Sequence, residues 1–142
     1  MRTYRIILDT NVLISALRSR KGTSFALLQQ IHRPDIEIAV SVPLVLEYEK
    51  VALAHLDDLV FSREDIVALI DYLCSIAIRQ KIYYLWRPRL RDAADEMVLE
   101  VAVAAHCDYI VTFNKKDFAG SEQFGVFAIT PKEFFTILAK SR

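Results

Sequence analysis

Five carboxylates in this 142-residue chain stand where chemistry is feasible: Asp9, Glu47, Asp92, Asp95 and Asp117. Asp9 closes the apolar run Ile6-Ile7-Leu8, which has the composition of a strand buried on both faces, so its carboxylate falls where water is scarce. A carboxylate there needs a donor, a cation or a metal, because burying it alone costs several kcal/mol or forces its protonation. Glu47 lies about two turns into a helix, Asp95 opens an apolar helix, and Asp117 follows a late strand. Gathered at one edge, these four would repel one another unless a cation intervened. Hard oxygen donors without His or Cys favour Mg²⁺ or Mn²⁺ over Zn²⁺.

Each acid also has a plainer role open to it. Asp9 can cap the helix that follows it, and Asp92 can cap the one near Ala94. Asp95 can serve the helix dipole, and Asp117 can be a turn residue. Glu47 and Glu49 compete, since apolar residues at 44, 45, 46, 48, 51, 52 and 53 leave the inward face of their helix undecided.

The elements that must position these acids alternate. Strands are expected at Tyr4 to Leu8, Ile36 to Val40, Ile82 to Trp86, Tyr109 to Thr112 and Val126 to Ile129. Helices are expected at Asn11 to Leu17, from Thr23 or Ser24 to Ile31, from Ser41 through Glu47, from Ser62 to about Ile78, at Ala94 to Ala105, and after Thr130-Pro131-Lys132-Glu133. This order implies βαβ units and an α/β fold, a three-layer α/β/α sandwich with a mostly parallel sheet in which Tyr4 to Leu8 is central and Tyr109 to Thr112 its neighbour.

Residues 1–142 read as a single domain, with 54% hydrophobic residues and few glycines or prolines to break the pattern. No apolar run is long enough for a membrane span or resembles a signal peptide, so a soluble cytoplasmic protein is expected. Cys74 and Cys107 read as buried free thiols, and His32, His55 and His106 as isolated structural or exposed residues. Formal charge balances at 18 against 18, yet it is segregated: residues 79–91 hold five basic groups and no acid, whereas 92–100 hold four acids and no base. Basic flanks around an acidic centre suit a metal-dependent enzyme acting on a polyanion, although solvated faces would look the same. Arg87, Arg89 and Arg91 are the candidate phosphate contacts; Tyr83 and Tyr84 read as core aromatics.

Four motifs in order carry a resemblance. Asp9-Thr10-Asn11 after the opening strand, Ser41 with Glu47-Tyr48, Arg91-Asp92 through Asp95-Glu96, and Val111-Thr112-Phe113-Asn114 through Asp117-Phe118 together resemble a PIN domain, over about Arg5 to Leu138. More narrowly, the chain resembles the VapC-like toxin components of toxin–antitoxin pairs, with Lys21-Gly22 in the loop after the first helix. The resemblance implies a Mg²⁺- or Mn²⁺-dependent endoribonuclease, often dimeric and often held by a small antitoxin. Carried over by position, Asp9, Glu47, Asp95 and Asp117 would hold the metal and do the catalysis, with Thr10, Asn11, Thr112, Asp92 and Asn114 orienting carboxylates or water and Lys21 joining the arginines on RNA. Asn114 departs from the family pattern, standing where many members have an acid. The fourth donor is then Asp117, the Asn114 carbonyl, or a water held by either. From another class comes a catalytically weakened PIN-like fold that binds nucleic acid or protein. A homodimer is expected, with the helices from Val42 to Ile78 supplying apolar surface.

Overall fold

The computed structural model describes residues 2–82 and 93–141. Its centre is β1 (Tyr4–Leu8), which pairs in parallel with β2 (Ile36–Val40) on one side and β4 (Tyr109–Val111) on the other. A two-residue β3 (Ile78–Arg79) extends the sheet beyond β2, and β5 (Phe127–Ile129) extends it beyond β4. The order is β3-β2-β1-β4-β5, every pair parallel, as the α/β reading anticipates. Side chains alternate between the faces of a strand, yet Ile6, Ile7 and Leu8 are all 1% exposed or less, so both faces of the sheet are covered.

Between the strands run α1 (Thr10–Arg18), α2 (Thr23–Gln30), α3 (Val42–Ala54), α4 (Arg63–Ile76), α5 (Ala93–Ala104) and α6 (Pro131–Lys140). Their starts follow local chemistry. Ser41 accepts from the Leu44 N–H with Pro43 in the first turn, Ser62 accepts from the Asp65 N–H, and Thr130 and Glu133 complete a reciprocal capping box. Two expectations are corrected here. The cap of α2 is Gly22, with no side-chain bond, and Thr23 is already helical. The third strand is Ile78–Arg79, because Ala77 turns extended (φ −80°, ψ 153°) and lets Ile78 pair with Ala39. Of the strand expected at Ile82 to Trp86, Ile82 is outside any strand, and 83–86 lie outside the described residues.

The connections reverse direction at β1: the chain builds outward through β2 and β3, then returns to β4 on the other side. This reversal opens a crevice beyond the carboxyl ends of β1 and β4, where open parallel sheets bind ligands.

Candidate active site

Asp9 stands at that crevice, the residue after β1 and the N-cap position of α1 (φ −66°, ψ 148°). Its backbone serves both elements: the N–H donates to the Val111 carbonyl at 2.9 Å, and its carbonyl accepts from the Val12 N–H at 3.0 Å. Its side chain makes no capping bond. Instead the carboxylate, 7% exposed, accepts from the Thr112 hydroxyl at 2.7 Å, and that hydroxyl accepts from the Asn114 N–H at 3.0 Å. One threonine at the end of β4 thus ties the Asp9 carboxylate to the loop that carries Asn114. Asn11 repeats the pattern, its side-chain carbonyl accepting from the Phe113 N–H at 3.4 Å.

Asp9, Thr10, Asn11, Glu47, Asp95, Asn114 and Asp117 line one cavity of about 380 Å³. The structure therefore brings together all four acids proposed from the sequence, from the end of β1, from α3, from the first turn of α5 and from the turn after β4. Glu47 is separated from Glu49 by the residue between them. Tyr48 is buried with Leu44 and Ala52, and its hydroxyl donates to the Leu8 carbonyl. With Tyr48 facing the sheet, Glu47 falls on the cavity side, in one stripe with Val51 and His55, and Glu49 is absent from the lining. Burial pushes the Tyr48 phenol well above its ordinary pKa, and the nearby Asp9 charge adds to the effect.

The other candidates fall elsewhere. Lys21 is exposed on the α1–α2 loop and outside the cavity lining. Arg87, Arg89, Arg91 and Asp92 lie outside the described residues. Two ionisable residues not proposed from the sequence as site residues do line the cavity: Arg18, at the last position of α1, and His55, at the C-cap of α3. Their signal is spacing: Asn11, Ile14 and Arg18 share one face of α1, as Glu47, Val51 and His55 share one face of α3.

The acids supply only oxygen donors, which suits a hard divalent ion better than zinc. Thr10 adds a buried hydroxyl oxygen with no hydrogen-bond partner among the described residues. Among those residues, no three His, Cys, Asp or Glu side chains sit close enough to grip an ion by themselves.

Residues 5–116 match the PIN domain family, well over half the chain; the match takes in Asp9, Glu47 and Asp95 and ends one residue before Asp117. The chain belongs to the PIN domain family. This PIN domain is similar in fold to the structure of VapBC-1 from nontypeable Haemophilus influenzae, with a TM-score of 0.60 at 17% identity over 90% of this chain and 98% of that one. It is similar also to VapBC2 from Rickettsia felis bound to a DNA fragment from their promoter, with a TM-score of 0.59 at 17% identity over 89% and 98%. No curated protein matches the chain. Among the described residues, no helix of this PIN domain is long and apolar enough to cross a membrane.

Proposed function

We propose that this PIN domain is a Mg²⁺- or Mn²⁺-dependent endoribonuclease and the toxin component of a toxin–antitoxin pair. The observation that carries the reading is the cavity at the strand reversal, where acids from four separate elements meet. Asp9, Glu47, Asp95 and Asp117 would hold the ion, and when bound it supplies an activated water and counter-charge for a phosphodiester. The chain's own part is positioning. Thr112 donates to Asp9 and so keeps one oxygen of that carboxylate turned away from the helix N-terminus it could otherwise cap. Thr10, Asn11 and Asn114 present neutral polar groups that can orient a water or a sugar hydroxyl; Asp92, outside the described residues, is assigned the same orienting role on the family resemblance alone. Lys21, Arg87, Arg89 and Arg91 hold flanking phosphates in the same reading. The likeness to the VapBC structures supports a small antitoxin as the protein partner, and RNA as the substrate is part of the same proposal.

Labelled single-stranded RNA incubated with the purified protein tests this directly. Cleavage is expected with Mg²⁺ or Mn²⁺ and is expected to disappear in EDTA and in Asp95→Asn. Undiminished cleavage in both would refute the assignment. One observation favours a second reading: Asn114 occupies the cavity wall without a charge. A binding module with weakened catalysis follows if neither metal supports cleavage while RNA or a protein partner still binds.

A further inference from the structure

The cavity has two chemically different ends. At one, α1 begins beside the acids; at the other it finishes in Arg18, nine residues after Asp9 and about 14 Å further along the axis. Helical side chains lean toward the helix N-terminus, so Arg18 reaches back over Ile14 into the cavity. His55 ends the corresponding stripe on α3. The end of α1 is tied to the segment that runs from α3 to α4, since the Val60 N–H donates to the Leu17 carbonyl at 2.9 Å. A basic residue in the last turn commonly serves the helix dipole, but that role is indifferent to which face it occupies. Arg18 occupies the face shared with Asn11 and Ile14. Among the described residues no carboxylate pairs with it.

We infer that Arg18 and His55 form a phosphate subsite that holds the backbone of single-stranded RNA beside the phosphodiester facing the acids. The inference rests on the nuclease reading and extends it, because it gives the strand a path along the α1–α3 groove. A guanidinium can hold a phosphate through two parallel N–H bonds, and an imidazole N–H donates in either protonation state. An acidic centre alone would repel its substrate. A cationic group in the same cavity gives the strand a point of attachment that does not depend on the ion.

The test separates binding from cleavage. Fluorescein-labelled single-stranded RNA is titrated by anisotropy, in EDTA and across a salt series, against the wild type, Arg18→Gln, Arg18→Lys and His55→Gln, with circular dichroism as the folding control. Arg18→Gln should weaken binding about tenfold, the loss of one charge-assisted contact, and reduce the slope of log K against log salt by about 0.7. Arg18→Lys should keep the slope, and His55→Gln should weaken binding about threefold with the slope less affected. With metal present, KM should rise in both glutamine variants while kcat stays within about threefold. Unchanged binding and slope in folded Arg18→Gln would overturn the subsite even if the wild type cleaves RNA, as would a loss confined to kcat. If the wild type cleaves under no metal yet binding in EDTA falls with Arg18→Gln, the nuclease reading fails and the subsite stands.

Discussion

The Thr112 hydroxyl helps to fix the geometry of Asp9, donating to a buried carboxylate while accepting from a backbone N–H. Thr112→Val keeps the shape and removes both bonds. It should cost about 1–3 kcal/mol in denaturant unfolding and reduce cleavage about 10–100-fold, with Thr112→Ser restoring most of each. Asp9→Asn acts differently. The amide can still accept from Thr112, so the fold should survive, and mutual repulsion among the cavity acids falls. Thermal melting in EDTA should therefore stay at or above the wild-type temperature, whereas cleavage should drop by more than the 10–100-fold typical of residues outside the metal's own ligands. A large loss of melting temperature would assign Asp9 a structural role instead.

At the scale of elements, the ends of helices carry two further expectations. Glu133 is held below the usual carboxylate range by the Thr130 N–H first and then by Lys115, 3.1 Å away. A depressed folded-state pKa gives stability that is complete above the unfolded value and lost as pH falls through the folded one. Glu133 is half-exposed, so solvent screens its bonds and Glu133→Gln should destabilise α6 near neutrality only slightly, by about 0.5 kcal/mol, and the gap to wild type should close in acid; a gap that persists at low pH would point to packing. His106, just past α5, holds φ at 56°, a region that side chains other than glycine seldom occupy. It lets the Cys107 N–H return to the Ala102 carbonyl at 2.8 Å and so finish the helix. His106→Gly should raise unfolding stability by about 1 kcal/mol, measured by chemical denaturation.

At the scale of the molecule, the large exposed apolar side chains among the described residues lie mostly on α3 and α4. Val42 and Leu46 are 73% and 61% exposed and lie one turn apart; Tyr72 and Ile76 repeat that spacing on the next helix. Such pairs suit a partner, and a homodimer is the expected one. Sedimentation at tens of micromolar should give a dimer for wild type and a monomer for Leu46→Lys combined with Tyr72→Lys. A strictly monomeric wild type would reassign this surface, for instance to the antitoxin.

Much of this was legible in the sequence because its causes are local. The run Ile6-Ile7-Leu8 specifies a doubly buried strand, Ser41, Ser62 and Thr130 start helices through bonds to residues three positions on, and strand–helix alternation puts the acids that follow strands at one edge of a parallel sheet. Other features waited on the tertiary structure. Whether Asp9 caps α1 or turns to Thr112 depends on the pairing of β1 with β4, strands whose contact joins residues 103 positions apart. Glu47 and Glu49 have indistinguishable neighbours in sequence, and it is the seating of Tyr48 against the Leu8 carbonyl that turns Glu47 to the cavity. Arg18 and His55 carry no motif at all. They meet in one cavity because α1 packs on α3, a consequence of how the crossovers fold back on the sheet rather than of any residue type near them.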